Sequence, residues 1–175
     1  MGFIVENAAQ MAELGHKMED ILSSLAEMMK RTYVFASLKT LEYLRRSGRM
    51  NFALASFGEF LQIKPLLHMN QGNPTAHRVR TQGRATERMM EWLAEYAPFE
   101  RLAIVHAGVQ KEAEEMLARI KEYLHGDIPI VQITPVLGAH LGVGALGFAC
   151  VSKRVTDVLS KRVTDVLSKR VTDVL

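Results

Sequence analysis

The first 30 residues carry apolar side chains with the period of an α-helix. In the second half of this segment they recur every three or four residues: Met18, Ile21, Leu22, Leu25, Met28 and Met29. This spacing puts them on one face of a helix. Gly15-His16 interrupts the pattern, which predicts two helices with a break between them. We interpret the methionines of this face as core residues rather than as a binding surface.

The pattern then changes repeatedly between strand-like and helix-like segments. Residues 32–38 are β-branched and aromatic and predict a strand, and 62–69 with 75–81 predict a hairpin around 70–73. Further strands are predicted at 101–108 and 128–137, and helices at 39–48, 52–61, 83–97 and 110–125. The strand–helix–strand ending indicates an α/β fold with an α+β tendency, in which helices cover a mixed sheet.

The last 24 residues differ in kind from the rest of the chain. The octapeptide SKRVTDVL occurs three times without change, at 152–159, 160–167 and 168–175. An eight-residue period keeps no persistent apolar stripe on a helix, and solenoid repeats are longer. We therefore expect an extension without a core of its own. It also carries the whole net charge of +3, since residues 1–151 hold 16 basic and 16 acidic side chains. Nothing in this neutral body predicts a nucleic-acid partner.

Composition places the chain among ordinary globular proteins, with 48% hydrophobic and 23% charged residues. No apolar stretch reaches the roughly 18 to 20 residues of a membrane span. The N-terminus has no basic region followed by a cleavage pattern, so we predict no signal peptide. The single cysteine, Cys150, fits a cytoplasmic location, and its apolar neighbours predict a buried core residue.

The glycine-rich stretch 138-GAHLGVGALG-147 raises the question of a nucleotide site, because from Gly142 it matches the dinucleotide pattern G-x-G-x-x-G. That pattern binds pyrophosphate only where a strand leads through the glycines into a helix. Here the glycines are followed by a short strand-like run and then by the repeats. A nucleotide-dependent enzyme is therefore disfavoured as an interpretation.

Four motifs in order resemble the C-terminal part of the DegV family: 41-LEYLRRSGRM-50, 61-LQIKPLL-67, 78-RVR-80 and 138-GAHLGVGALG-147. The resemblance covers about 1–151. It implies bacterial fatty-acid-binding proteins, several of which present an acyl chain to a fatty acid kinase. By this resemblance, residues 1–30 are similar to the interdomain helices and 31–151 to the C-terminal lobe, while 152–175 lie outside the family pattern.

The sequence departs from the family pattern in three ways. Ser47 replaces the first glycine of a G-G-R motif, and Val143 replaces the usual proline of G-P-G. The family's N-terminal lobe, which supplies hydroxyl groups to the fatty-acid carboxylate, has no counterpart here. We therefore expect acyl binding to be impaired.

The resemblance also implies roles for individual residues. His140 belongs to the polar network around the acyl carboxylate, where an imidazole can donate a hydrogen bond and Gly138, Gly142 and Gly144 let the backbone approach a ligand. The alternative is a loop histidine bonded to a nearby carbonyl. Arg49 would neutralise a buried carboxylate, or else be an exposed arginine after a helix end.

Arg78 and Arg80 alternate on a predicted strand and so point to one face. The resemblance makes that face a docking surface for the kinase, and the alternative is a solvated strand. The remaining histidines show no metal-ligand spacing, and no nucleophile or carboxylate pair stands out. We predict a protein without metal, cofactor or catalytic activity.

A second function class stays open, in which the chain is a folded fragment acting as a self-associating interaction module. An interlobe surface left uncovered would expose apolar side chains, and such patches favour association. The sequence leaves the acyl length and the oligomeric state undecided.

Overall fold

The computed structural model describes residues 1–48, 63–121, 124 and 126–154. Its helices are α1 (Gly2–Glu13), α2 (Met18–Lys30), α3 (Glu42–Arg46), α4 (Gln82–Tyr96), α5 (Gln110–Lys121) and α6 (Pro135–Leu141). Its strands are β1 (Thr32–Ser37), β2 (Lys64–Asn70), β3 (Asn73–Val79), β4 (Phe99–His106), β5 (Ile130–Gln132) and β6 (Leu146–Ser152). The predicted α/β fold, a mixed sheet covered by helices, is confirmed.

One six-stranded sheet organises the described part of the chain, in the order β3-β2-β1-β6-β4-β5. The β4–β5 pair is parallel and the other neighbours are antiparallel. The two central strands join opposite ends of the chain, since Thr32 of β1 pairs with Val151 of β6. The β2–β3 hairpin turns through Gln71 and Gly72, both at positive φ, which suits the twist of a two-residue hairpin loop.

The first face of the sheet holds the larger core and is covered by α4 and α5. Tyr33, Phe35 and Phe148 lie in it with no solvent exposure. The helices contribute Met89, Trp92, Met116 and Ile120 among others. Each large apolar side chain buried here contributes roughly 1.5–3 kcal/mol to folding. The Thr81 hydroxyl fixes the start of α4 by accepting a hydrogen bond from the Arg84 N–H at 3.2 Å.

The second face of the sheet is lined by smaller side chains. Along β1, β6 and β4 these are Val34, Ala36, Ala103, Val105, Gly147 and Ala149. At the end where β1 and β4 finish, Leu44 of α3 and Leu141 of α6 pack against this face. At the other end α1 approaches β4, where Glu6 forms an ion pair with Arg101 at 3.3 Å. Between these helices the side chains of Val34, Val105 and Ala149 are only half-buried.

Three sequence predictions need correction. In place of the strand predicted at 128–137, the structure has the three-residue strand β5 followed by the helix α6. Pro135 favours the helix because it occupies the first helical position, where its missing N–H costs no hydrogen bond and its fixed φ is already helical. The predicted helix 39–48 shortens to Glu42–Arg46. The methionines of α2 divide: Met28 is buried, whereas Met18 and Met29 are 68% and 48% exposed and are not core residues. The predicted helix 52–61 and the repeats beyond Arg154 lie outside the described residues.

Candidate functional site

The glycine-rich stretch connects a helix to a strand, the reverse of a dinucleotide-binding turn. Gly142 ends α6 at φ 83°, with its N–H donating to the Gly138 carbonyl at 2.7 Å. Gly144, at φ 88°, donates its N–H to the Ala107 carbonyl beyond the end of β4 at 2.8 Å. The backbone N–H groups of these glycines are thus used within the fold. This geometry removes the basis for a pyrophosphate site.

Gly142 and Gly144 also permit two close packing contacts. A Cβ at Gly142 would overlap the ring of Tyr43, and one at Gly144 would overlap the side-chain stem of Lys39. At positive φ a side chain would be strained as well. Gly138 lies within α6 and has open space beside it. The packing roles of Gly142 and Gly144 explain their identity without a ligand, so the predicted ligand contacts of all three glycines stay predictions.

One ring nitrogen of His140 lacks a hydrogen-bond partner within the described residues. It lies in the last turn of α6, half-buried, and its Nδ1 is buried without a hydrogen-bond partner among the described residues. Leaving such an atom unpaired costs about 1–3 kcal/mol. The alternative of a histidine bonded to a nearby carbonyl is therefore not realised at Nδ1 within the described part of the chain.

Two other histidines of the fold show the contrast. His106 is buried, and its Nδ1 accepts a hydrogen bond from the Val109 N–H at 3.2 Å. His68 lies 3.2 Å from the Thr75 hydroxyl through Nδ1 and stacks on Phe35. Both therefore have structural partners, whereas Nδ1 of His140 has none within the described ranges.

The surface around His140 is apolar and exposed. Val136, Leu137 and Val143 have exposed fractions of 75%, 45% and 66%. They flank His140 within α6 and just after it, at the end of the sheet where α6 packs on the second face. A buried polar atom beside exposed apolar side chains is the arrangement expected where an amphipathic ligand binds.

The remaining predicted residues are not brought to His140 by the described structure. Arg49 lies outside the described residues. Arg78 lies on the edge strand β3 and Arg80 just after it, both exposed, with Arg80 beside Arg84 of α4. No group of three His, Cys, Asp or Glu side chains in the described ranges could hold a metal ion. Within those ranges no helix is long and apolar enough to cross a membrane.

A separate apolar groove of about 610 Å³ lies between the C-terminal halves of α4 and α5, lined by Met90, Leu93, Ala94 and Ile120 with Arg119 at its side. It is on the first face of the sheet, at the end away from α6. The groove and the His140 surface are therefore distinct places where an apolar chain could lie.

Comparison with known proteins identifies the family. The family model described as "Uncharacterised protein, DegV family" matches residues 1–153. The chain belongs to the DegV family. It is 34% identical over 159 residues to Protein DegV of Bacillus subtilis, a match that covers 87% of this chain and 56% of that protein. It thus spans about half the length of the curated relatives it matches.

Solved structures of the family share this fold. A fatty-acid-binding DegV family protein of Streptococcus agalactiae is 31% identical with a TM-score of 0.78, covering 87% of this chain and 56% of that one. A DegV family protein of Eubacterium eligens, loaded with heptadecanoic acid, is 25% identical with a TM-score of 0.72, covering 86% and 56%. The resemblance read from the four motifs is therefore confirmed.

Proposed function

We propose that this DegV lobe binds the acyl chain of a long-chain fatty acid, with His140 contacting the carboxylate. The observation that carries the proposal is the buried Nδ1 of His140, which has no partner within the described ranges and lies among exposed apolar side chains. The fatty-acid-binding relatives support it. The protein acts as a binding protein and not as an enzyme.

The chemistry of the imidazole suits this role. A neutral histidine protonated on Nδ1 donates a hydrogen bond to a carboxylate, so the ligand supplies the missing partner. Binding then regains the free energy that the unpaired atom costs. Along the acyl chain, each methylene removed from water contributes about 0.8 kcal/mol. The exposed side chains of α6 and the half-buried second face of the sheet are the surfaces that would cover it.

The chain corresponds to about half of each relative. We propose that the remaining carboxylate partners belong to the half of those relatives that has no counterpart in residues 1–175. Residues 1–175 alone would then bind a fatty acid more weakly than a relative of full length. This keeps the sequence prediction of impaired binding as part of the proposal.

Native mass spectrometry of the chain with palmitate and with oleate tests the acyl site. We expect a fatty-acid adduct that is at least tenfold weaker in His140→Ala. The matched control is His16→Ala, an exposed histidine between α1 and α2, which should bind as the unchanged protein does. No adduct on a folded protein, or equal loss in both variants, would reject the proposal. If the fatty-acid adduct is retained in His140→Ala but lost in Ala94→Trp, the acyl chain lies in the groove between α4 and α5 and not at the His140 surface.

We further propose that the protein presents its acyl chain to a fatty acid kinase through Arg78 and Arg80. Both are exposed, at and just after the edge strand β3. Phosphoryl transfer to palmitate by a bacterial fatty acid kinase should fall at least tenfold in the double variant Arg78→Glu/Arg80→Glu. Lys17→Glu/Lys111→Glu, which changes exposed cations at the start of α2 and in α5, is the charge-matched control. Equal rates would reject this docking surface.

A second candidate function, self-association, is favoured by the exposed apolar side chains of α1 and α2. Val5, Leu14, Met18 and Leu22 are each more than half exposed, an arrangement typical of an interface. Light scattering after size exclusion should then show a dimer that Leu22→Lys dissociates. A monomer at high protein concentration would reject self-association and would leave the acyl-site proposal unaffected.

A further inference from the structure

The apolar groove between the C-terminal halves of α4 and α5 has the form of a docking site. Met90, Leu93, Ala97 and Leu124 contribute to its lining. Leu93 is also part of the larger core, so the groove reaches down to that core. An open apolar surface of this kind marks a place where another segment packs. The groove includes neither His140 nor the second face of the sheet, and it is therefore separate from the acyl surface proposed above.

The chain leaves the sheet beside one end of this groove. After β6, Lys153 donates its backbone N–H to the Pro98 carbonyl at 2.8 Å. Just before it, the Ser152 hydroxyl donates to the Tyr96 carbonyl at 2.6 Å. These two acceptors lie on either side of Ala97 in the sequence, and Ala97 lines the groove. The chain beyond Lys153 therefore begins next to the groove and needs no long connection to reach it.

The repeats that follow carry apolar side chains in a pattern suited to such a groove. Within each repeat, two valines and a leucine have the spacing i, i+3, i+4, which places them on one face of a helical turn. These apolar triads are Val155-Val158-Leu159, Val163-Val166-Leu167 and Val171-Val174-Leu175. The eight-residue period keeps the triads from forming one continuous stripe, but a short groove needs only one of them. Three identical copies raise the effective concentration of the docking segment.

The charges of the groove and of the repeats are complementary. Arg119 lines the groove, is exposed and forms no ion pair within the described ranges, and each repeat supplies one aspartate. The last turn of α4 has no basic side chain, and each repeat supplies a Lys-Arg pair. Cations are favourable near the negative end of a helix dipole. The repeats thus combine an apolar triad with both of the charges that this groove favours.

We propose that the groove between α4 and α5 binds the repeat tail of the same chain, residues 155–175. One apolar triad packs against Leu93 and Leu124, and an aspartate of the repeats pairs with Arg119. A short tether holds the tail at an effective concentration in the millimolar range, so a contact with a Kd of about 0.1 mM is formed about nine-tenths of the time. The docked tail closes the groove to other apolar molecules. The proposal does not depend on acyl binding at His140.

Protection of a thiol placed in the groove tests the docking in the full chain. Ala94→Cys puts this thiol at an exposed position of the groove, and peptide mass spectrometry separates its labelling from that of the buried Cys150. The reagent is iodoacetamide, which is uncharged and so insensitive to added charges. Ser23→Cys, at an exposed position of α2, gives the rate of an uncovered thiol. We expect the groove thiol to react at least tenfold more slowly, because the docked tail covers it.

A variant of the tail alone should remove this protection. It changes the leucine of every triad to aspartate: Leu159→Asp/Leu167→Asp/Leu175→Asp. Burying these carboxylates in an apolar groove is costly, so labelling of the groove thiol should become at least tenfold faster. The matched control adds the same charges at the threonines of the repeats and keeps the triads: Thr156→Asp/Thr164→Asp/Thr172→Asp. This control should leave the protection unchanged.

Other occupants of the groove give different results. The proposal is overturned if the groove thiol reacts as fast as the thiol of Ser23→Cys, or if the leucine and threonine variants have the same effect. Protection that disappears on dilution assigns the groove to the tail of a second copy and also overturns the proposal. Protection that only added palmitate provides assigns the groove to an acyl chain and overturns it too. Near-ultraviolet circular dichroism of Trp92 in its buried cluster verifies that each variant is folded.

Discussion

The imidazole of His68 stacks on the ring of Phe35 with their centroids 4.8 Å apart. The same imidazole lies against Trp92, and its Nε2 is 3.4 Å from the Tyr96 hydroxyl. Burial in this cluster, together with the nearby charge of His77 when protonated, lowers the pKa of His68 to about 4. The histidine is therefore neutral in the folded protein at pH values where the unfolded chain binds a proton.

This relationship predicts a loss of stability in mild acid. The folded-state pKa of His68 is below its unfolded value of about 6.5, so its contribution is fully present above pH 6.5 and is lost as the pH falls towards 4. Burial also lowers the pKa of His77, which acts in the same direction. Between pH 7 and pH 5 the free energy of unfolding should fall by about 1–2 kcal/mol from His68, after allowing for solvent screening.

Urea unfolding at the two pH values measures this change. His68→Gln should remove most of the pH dependence, although it lowers stability at pH 7 through lost stacking. His16→Gln, a change at an exposed histidine, should leave the pH dependence as it is. An unaltered dependence in His68→Gln would show that another group titrates.

Gly147 lies at the centre of the sheet, where adding a side chain should strongly destabilise the protein. A Cβ at Gly147 of β6 would overlap the carbonyl oxygen of Phe35 and lie against the Cα of Ala36 in β1. Because both obstacles are backbone, neither can rotate away, and Gly147→Ala should cost about 3 kcal/mol or more. Gly83→Ala in α4 meets nothing within 4 Å and should stabilise by about 0.5–1 kcal/mol through helix propensity. Thermal unfolding of both variants tests the contrast.

The local elements could be predicted from sequence because they depend on periodicities within a few residues. The breaks at Gly15 and at the β2–β3 turn, the α4 helix and the buried Cys150 all follow from such patterns. The pairing of Thr32 with Val151 could not be predicted in this way. It joins residues far apart in the chain through backbone hydrogen bonds that leave no local signal.

Two further features needed the structure for a different reason. The apolar pattern of α2 identifies one face of the helix but not what packs against that face, so it could not predict that Met18 and Met29 are exposed. The helix α6 was hidden in an apolar run resembling a strand, although Thr134-Pro135 is a helix-start signal that could have been read. The role of His140 came from the family motif, whereas its unpaired Nδ1 and the packing of Tyr43 on Gly142 are visible only in three dimensions.

Cys150 should be chemically silent in the folded protein. It is fully buried in β6, and burial raises the pKa of its thiol to about 12. Since the thiolate is the reactive form, little of it exists at neutral pH. A disulfide reagent such as dithionitrobenzoate should label the native chain at least a hundredfold more slowly than the chain unfolded in guanidinium chloride. Rapid labelling of native protein would mean that β6 opens readily.

The hydroxyl of Ser152 should anchor the end of β6 to the end of α4. It is completely buried, donates to the Tyr96 carbonyl at 2.6 Å and accepts from the Arg154 N–H at 3.0 Å. Ser152→Ala leaves two backbone groups without this partner and should lower the free energy of unfolding by about 1–3 kcal/mol.

Urea denaturation compares this change with Ser23→Ala, a matched substitution at an exposed position of α2, which should be neutral or slightly stabilising. Equal stability of the two variants would contradict the anchoring role. If Ser152→Ala instead lowers the denaturant dependence as well as the midpoint, the junction of β6 with α4 opens before the rest of the sheet, because less surface is then exposed in the main transition.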